Sequence, residues 1–122
     1  MSERPVVHTG PVGVSVASSE GLASQVFPQF GRAPRFLLVD PATQNTEEID
    51  NTAREFEHGA GPGAVALLRQ KGVSAVISGR FGPRAQEALD AAGIRGVTVP
   101  SGLTVAEALE ALRSEVGRVE GT

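Results

Sequence analysis

The chain has 122 residues, enough for one globular domain, and contains no cysteine, which excludes disulfide frameworks, thiolate-held metal sites and thiolate nucleophiles. Its net charge is −3 and it lacks Trp and Tyr, so a nucleic-acid-binding surface, which needs positive charge and stacking rings, is not expected. No stretch reaches the roughly 20 apolar residues of a membrane span, and the first residues lack the apolar segment of a signal peptide, so we expect a cytoplasmic protein without a membrane partner.

The first half of the chain predicts three strands. Residues 1–11 contain two prolines and no periodic pattern, and are expected to form a flexible arm. Apolar alternation and β-branched residues predict strands over 12–17 and 35–40, and a shorter polar strand over 46–50 at an edge of the sheet. Because the connections between them are short, we expect these three strands to pair in an antiparallel arrangement.

The second half alternates helices with strands. Helices are predicted over 62–71, 83–92 and 104–116, and apolar strands over 73–78 and 96–99. The expected helix ends are the glycines that follow each helix, Gly72, Gly93 and Gly117. Thr104 and Glu107 have the spacing of a capping box at the start of the third helix.

The order of these elements predicts a single α/β domain over residues 12–117, followed by a tail over 118–122. Three antiparallel strands followed by right-handed crossovers give a five-stranded mixed sheet in the order 3-2-1-4-5, with helices on both faces. This three-layer arrangement is the ribonuclease-H-like architecture.

Two of the three predicted helices begin with the same dipeptide, Gly61-Pro62 and Gly82-Pro83. Glycine offers no side-chain oxygen as a cap, and proline at the first helical position has no N–H, so the next N–H groups stay open. The helix dipole adds partial positive charge at such an end, which suits an anionic ligand. The pattern is also compatible with two tight turns whose N–H groups are bound by water.

Four side chains are candidates for one crevice at the edge of the sheet. Arg32, Arg80 and Arg84 are either solvated surface residues or anion ligands, because guanidinium groups bind multiply charged anions through planar forks of donors. His58 precedes an open helix start, where an imidazole can bind a metal or an anion, or lie on the surface without a role. With His58 as metal ligand, the expected cofactor-binding residues are Arg32, Gly59, Ala60, Gly61, Gly63, Gly79, Arg80, Gly82 and Arg84.

Motifs of common enzymes are missing from the sequence. There is no Gly-Lys-Ser/Thr phosphate loop, no Gly-x-Ser-x-Gly elbow and no His-Glu-x-x-His. Two-metal nucleases of the ribonuclease H type need carboxylates on their central strands, and the predicted strands over 12–17 and 73–78 contain none. The sequence therefore favours a binding protein over an enzyme.

Several short motifs occur in the order and spacing of a known family. They are Val14-Ser-Val-Ala-Ser18, Phe30-Gly-Arg-Ala33, Asn51, Gly59-Ala-Gly61, Val76-Ile-Ser-Gly79, Gly82-Pro83 and Ala92-Gly-Ile94. Over residues 12–117 the chain resembles a stand-alone member of the dinitrogenase iron-molybdenum cofactor biosynthesis family, which includes NifX, NafY and the C-terminal region of NifB.

The resemblance implies a ribonuclease-H-like fold without nuclease chemistry. It also implies a nitrogenase accessory factor that carries or stores an iron–sulfur or iron–molybdenum cofactor, or its precursor, alongside other cofactor-assembly proteins of nitrogen fixation. Histidine serves as a ligand in some members, and only His58 is placed for that role here. Such clusters are large anions, so the open helix ends and arginines agree with this function. Without thiolates, the cluster would be held non-covalently or through one imidazole.

Two other functions stay open on sequence grounds. One is a module that binds a small phosphate or a nucleotide at the same helix ends. The other is a protein-interaction module with an empty crevice, which would use Phe27, Phe30 and Phe81 as an exposed apolar patch.

Overall fold

A computed structural model of the chain describes residues 10–100 and 102–121, with side chains described up to residue 113 in the last helix. Its five strands are β1 (Val12–Val16), β2 (Arg35–Val39), β3 (Thr46–Asp50), β4 (Ala75–Ser78) and β5 (Arg95–Thr98). They form one sheet in the order β3-β2-β1-β4-β5, which confirms the predicted topology. The predicted arm falls on residues 1–9, which lie outside the described residues, and on Gly10 and Pro11.

The directions of the strands are also as predicted. β1 pairs with β2 in an antiparallel register that places Val14 opposite Leu37, and β2 pairs with β3 in the same way. On its other side β1 runs parallel to β4, with Val14 opposite Ile77, and β4 runs parallel to β5. β1 is therefore the strand at which the antiparallel half of the sheet meets the parallel half.

Three α-helices and two short 3₁₀-helices complete the fold. The α-helices are α1 (Ala60–Gln70), α2 (Pro83–Ala92) and α3 (Val105–Gly121), and the 3₁₀-helices are η1 (Gly21–Ala23) and η2 (Thr52–Glu55). The capping box is confirmed, because the Glu107 N–H donates to Thr104 Oγ1 at 3.1 Å and the Thr104 N–H donates to Glu107 Oε1 at 2.9 Å.

Two predicted helix boundaries are wrong. α1 begins at Ala60 and not at Pro62, because Gly59 adopts a left-handed conformation (φ 79°) that turns the chain into the helix two residues earlier. α3 does not end at Gly117 but continues to Gly121. A glycine inside a helix costs only about 1 kcal/mol relative to alanine, and no proline follows to stop the helix.

Alternation along the strands builds a core on each face of the sheet. Phe36 and Leu38 of β2 face α1 and α2, where Leu68 and Leu89 are fully buried against them. Leu37 and Val39 of β2, with the valines of β1, face α3 and its Val105. The predicted three-layer arrangement is thus confirmed, with α1 and α2 side by side on one face and α3 on the other.

The three phenylalanines expected as an exposed patch belong to the core instead. Phe30 is 1% exposed, and Phe27 and Phe81 are half-buried against the same cluster. The ring centroids of Phe30 and Phe81 lie 5.1 Å apart, and the rings are tilted by 46° to each other, at a distance that is typical of stabilising aromatic pairs. This finding overturns the expected apolar patch. Across residues 10–100 and 102–113, the only large hydrophobic side chain that is exposed is Phe56.

Among the described residues, none of the helices combines the length and the hydropathy that crossing a bilayer requires. α1 and α2 both begin at the edge of the sheet where β1 and β4 end. Ligands of open α/β sheets bind at this edge, so the two helix starts lie where a ligand is expected.

Candidate functional site

The N-terminus of α1 has no side-chain cap. Gly59 precedes the helix, and its carbonyl accepts the N–H of Gly63 at 2.9 Å. The Gly63 N–H, expected to be open, is therefore used inside the helix. Pro62 has no N–H, which leaves the N–H groups of Ala60 and Gly61 as the open donors of this helix start.

The N-terminus of α2 is open in the same way. Gly82 precedes the helix without offering a side-chain cap, and Pro83 occupies the first position, as predicted. The Gly82 carbonyl accepts the N–H of Gln86 at 2.9 Å. The N–H groups of Arg84 and Ala85 are thus the open donors here.

The two helix starts are in direct contact. A Cβ atom built on Gly61 would lie 2.9 Å from the Cβ of Ala85, closer than real Cβ atoms approach. Only glycine at position 61 allows this approach. As a result, four open N–H groups and the positive ends of two helix dipoles lie next to one another.

A cleft of about 370 Å³ opens over these helix starts. It is lined by residues 29–32, by the start of α1 (59–62), by Arg80 and by the start of α2 (82–85). The loop before β2, the loop after β4 and two helix N-termini thus form a single concave surface. It holds two sets of backbone donors and three arginines.

Seven of the nine predicted cofactor-binding residues line this cleft, namely Arg32, Gly59, Ala60, Gly61, Arg80, Gly82 and Arg84. Gly63 does not, because it faces η2, where a Cβ would lie 2.8 Å from both Ala53 and Phe56. Gly79 lies behind the cleft, with Pro28 packed so closely that a Cβ would come within 2.6 Å of its Cα. Both of these glycines serve close packing.

His58 is exposed and stands one residue before Gly59, outside the cleft lining. Within the part of the chain that the structure describes, no group of three or more His, Asp or Glu side chains is arranged to hold a metal ion. A metal bound through this imidazole would therefore take its other ligands from outside the protein, such as the sulfides of a cluster.

Arg32 differs from the other arginines of the cleft, because its guanidinium is held by the protein. Nη1 donates to the carbonyl of Arg54 at 2.6 Å and to the carbonyl of Phe56 at 3.0 Å. Nε and Nη2 keep further donors on the same rigid plane. Arg32 therefore fastens its own loop, residues 29–33, to η2 and at the same time places a cation at the rim of the cleft.

Arg80 is fixed through its backbone, while its side chain is exposed. Its carbonyl accepts the Phe30 N–H at 3.1 Å, and it forms an isolated parallel bridge with Gln29. Arg80 and Gln29 also border a second crevice of about 390 Å³, lined mainly by apolar residues of 27–28 and 99–100. The Arg80 side chain thus stands on a ridge between two openings.

The comparison with known proteins agrees with this architecture. Residues 12–115 match the family described as dinitrogenase iron-molybdenum cofactor. The chain belongs to this family. The match spans all five strands, α1, α2 and most of α3, so the cleft lies wholly inside it.

Solved structures and one curated sequence are similar to this member of the iron-molybdenum cofactor family. The apo form of the orange protein from Desulfovibrio gigas is 37% identical, with a TM-score of 0.82 over 90% of this chain and 92% of that one. A Thermotoga protein assigned provisionally as NifB is 34% identical, with a TM-score of 0.73 over 86% of this chain and 88% of its own. The uncharacterized protein MJ0580 of Methanocaldococcus jannaschii is 35% identical over 74 residues, and the match spans 63% of its length. The family and the similarity to the orange protein support a cofactor-binding or carrier role in general.

Sequence reasoning gave no role to three buried polar side chains that fasten the loop before β2. Ser15 and Ser78 are fully buried, and their hydroxyls lie 2.8 Å apart, with the carbonyl of Phe27 within reach of both. Asn51 is also buried and bonds to the wall of the cleft. All three residues belong to the motifs that carry the family resemblance, but the sequence gives no role for them. The local signal for Ser15 and Ser78 is a lone polar residue in an apolar strand, and Asn51 has no such signal because it follows the polar strand β3.

Proposed function

We propose that this protein is a non-catalytic carrier that binds an anionic iron–sulfur or iron–molybdenum cofactor, or its precursor, in the cleft between residues 59–63 and 79–84. The protein holds the cargo without cysteine thiolate ligands, since the chain has no cysteine. A carrier that has to pass on its cargo benefits from such a hold, which can be reversed by competition.

One observation carries the proposal: the contact between Gly61 and Ala85, which brings two uncapped helix N-termini into one cleft. Each end supplies two open N–H groups and part of a positive dipole, and Arg80 and Arg84 add exposed cations. Metal–sulfur clusters are large anions with many acceptor sulfurs, so this arrangement is complementary to their charge. Membership of the iron-molybdenum cofactor family supports this class of anion as the cargo.

The test is anaerobic reconstitution of the purified chain with a preformed iron–sulfur cluster, and separately with tetrathiomolybdate, the simplest soluble molybdenum–sulfur anion. Gel filtration followed by metal and sulfide analysis measures what the protein retains. We expect stoichiometric retention by the wild type, and at least about tenfold weaker binding by an Arg80→Ala, Arg84→Ala double variant. Charge-assisted hydrogen bonds of this kind contribute about 1.5–3 kcal/mol each.

Arg69→Ala provides the matched control. Arg69 is exposed in the last turn of α1, at the end of the helix away from the cleft, and its removal changes the net charge in the same sense. Retention by this variant should equal that of the wild type. Equal retention by all three proteins would place the cluster elsewhere, and no retention by the wild type would overturn the proposal.

The same donors also fit a small phosphate or a nucleotide, which is the second function considered. A thermal-shift panel that includes inorganic phosphate and nucleotides separates the two. Stabilisation by a nucleotide together with no retention of either metal–sulfur anion would favour the second function.

A further inference from the structure

We infer that Asn51, a side chain outside the cleft, is the positioning residue that sets the width of the cleft. The inference rests on the proposed function in one respect, namely that the cleft holds the cargo. Residues 29–33 form one wall of the cleft and are called the cleft wall below. Contacts within the protein hold this wall in place.

The cleft wall lies against the start of α1 without a side chain in between. A Cβ atom built on Gly31 would lie 3.0 Å from the backbone N of Gly61 and 3.1 Å from its Cα. Wall and helix start are therefore in backbone contact. Any outward movement of the wall widens the cleft and separates Arg32 from the open N–H groups.

Asn51 supplies the buried attachment of this wall. Its side-chain Nδ2 donates to the carbonyls of Gly31 at 3.2 Å and Ala33 at 2.9 Å, and its Oδ1 accepts the Ala53 N–H at 3.2 Å. The residue is 2% exposed, and its bond to the Ala33 carbonyl is buried, so water cannot replace that bond. One amide thus satisfies two wall carbonyls and fixes them to η2.

Phe30 attaches the wall to the other side of the cleft, because its ring is buried in the core and its N–H donates to the Arg80 carbonyl at 3.1 Å. On the side of η2, the other side-chain attachment of the wall lies nearer to solvent. The bonds from Arg32 to the carbonyls of Arg54 and Phe56 are exposed. Such bonds exchange readily with water, whereas a buried carbonyl that loses its donor keeps the full cost of desolvation. Of the side chains that attach the wall to η2, Asn51 is therefore the one on which the position of residues 31–33 against η2 depends most.

If the cleft wall is open in a fraction of the molecules, those molecules cannot bind the cargo and the apparent affinity falls. When only a fraction of the molecules has the competent conformation, the apparent dissociation constant rises by the inverse of that fraction. Asn51 would thus control affinity without touching the cargo.

The first measurement is hydrogen–deuterium exchange of the full chain without cargo, in the wild type and in Asn51→Asp. The substitution keeps the size of the side chain and replaces the Nδ2 donor by an oxygen that faces two carbonyls. We expect exchange of residues 29–33 and of the start of α1 to become at least about tenfold faster, as expected for two lost hydrogen bonds. β1 and β4 should change far less.

Ser24→Ala is the control for general destabilisation. Ser24 is 1% exposed, and its hydroxyl accepts the Glu20 N–H at 2.9 Å and donates to the Ser18 carbonyl at 3.3 Å, away from the cleft wall. This variant should lose stability without faster exchange in residues 29–33. If Asn51→Asp does not fold, Asn51→Ser replaces it, because a hydroxyl keeps one donor.

A pH profile separates positioning from a general loss of structure. A carboxylic acid at position 51 has one donor and a carboxylate has none, and burial beside carbonyl oxygens raises the pKa of the introduced carboxyl. The ratio of wall exchange in Asn51→Asp to that in the wild type should therefore fall in acid and rise as the carboxyl ionises. The charged side chains around position 51 are the same in the wild type and in Asn51→Asp, namely Arg32, Arg35, Asp50, Arg54 and Glu55.

The second measurement is anaerobic titration with tetrathiomolybdate and with a preformed iron–sulfur cluster. Asn51→Asp should bind more weakly by about the factor by which wall exchange increases, and Ser24→Ala should bind as the wild type does. Unchanged exchange at 29–33, an equal increase throughout the sheet, or unchanged affinity with an opened wall would each overturn the inference. If the wild type binds neither anion, the proposed function fails, and the exchange data still decide whether Asn51 holds the wall.

Discussion

The three arginines that line the cleft differ in what their guanidinium groups already bind. Arg32 is bonded to carbonyls 22 and 24 residues further along the chain. Arg80 and Arg84 are exposed, and neither side chain bonds to another residue in the described ranges. The sequence could place all three in loops near helix starts, but it could not separate them, because the partners of Arg32 are remote in sequence.

His58 gives a prediction at the scale of a single residue. If its imidazole donates a lone pair to a metal of the cluster, removal of the imidazole should weaken the hold on the cargo. His58→Ala should then retain less cluster than the wild type, because the alanine methyl group offers no ligand atom.

The control for this prediction is His8→Ala, which changes the only other histidine of the chain. Gel filtration with metal analysis of the wild type and both variants is the measurement. Identical retention by His58→Ala and the wild type would remove the imidazole from the ligands and leave the helix starts as the site.

At the scale of elements, the sequence predicted which helices start without a cap but not how they meet. Gly82-Pro83 begins α2 as expected, whereas the Gly61-Pro62 dipeptide lies inside α1. Proline is tolerated anywhere in a first turn, so its position fixes a helix start only approximately. The contact between Gly61 and Ala85 depends on the packing of α1 against α2, which no local pattern encodes.

The same contact predicts an asymmetry between two glycines. Gly61→Ala places a methyl group 2.9 Å from the Cβ of Ala85 and should lower the free energy of unfolding by about 1–3 kcal/mol, as overpacking typically does. The gain in helix propensity, at most about 1 kcal/mol in a helix interior, does not offset it. Binding of the cargo should weaken as well, because the helix starts are pushed apart.

Gly82→Ala is the matched control, since no atom lies within 4 Å of a Cβ built there and its backbone is extended. Urea denaturation of both variants measures the difference. A loss of stability equal to that of Gly61→Ala would show that the contact between the helices is not close-packed.

The boundaries of α3 show what local signals can decide. The capping box at Thr104 and Glu107 is a short-range pattern, and the structure has both of its hydrogen bonds. Gly117 is an ambiguous signal, because glycine ends a helix only where the chain adopts a left-handed turn. Here the chain stays helical to Gly121.

For the whole molecule, the order and direction of the strands could be predicted because β1, β2 and β4 have a clear apolar pattern, the short connection from β2 to β3 restricts their pairing, and crossovers between parallel strands are right-handed. The cleft could be predicted only as an edge of the sheet. Its wall depends on Asn51 and Arg32, which bond across 18 to 24 residues of sequence, so its shape follows from the assembled fold.

The charge of the molecule leads to a prediction about salt. The chain carries a net charge of −3, so the attraction of an anionic cargo comes from the cleft and opposes the overall charge. Raising the salt concentration from about 0.1 M to about 1 M shortens the screening length from about 10 Å to about 3 Å. Cluster retention should fall severalfold over this range, and less steeply in the Arg80→Ala, Arg84→Ala variant. Equal slopes for both proteins would contradict an electrostatic role for these arginines.

The meeting of two helix N-termini also has a consequence for the lifetime of the protein. Two ends that each carry about half a positive charge repel one another when the cleft is empty, and an anion between them removes this repulsion. Under the proposed function, a loaded molecule therefore unfolds less often than an empty one, because a ligand that binds only the folded state stabilises it. Proteases degrade chains that unfold, so empty carriers would be cleared first and the amount of carrier in the cell would follow the supply of its cargo.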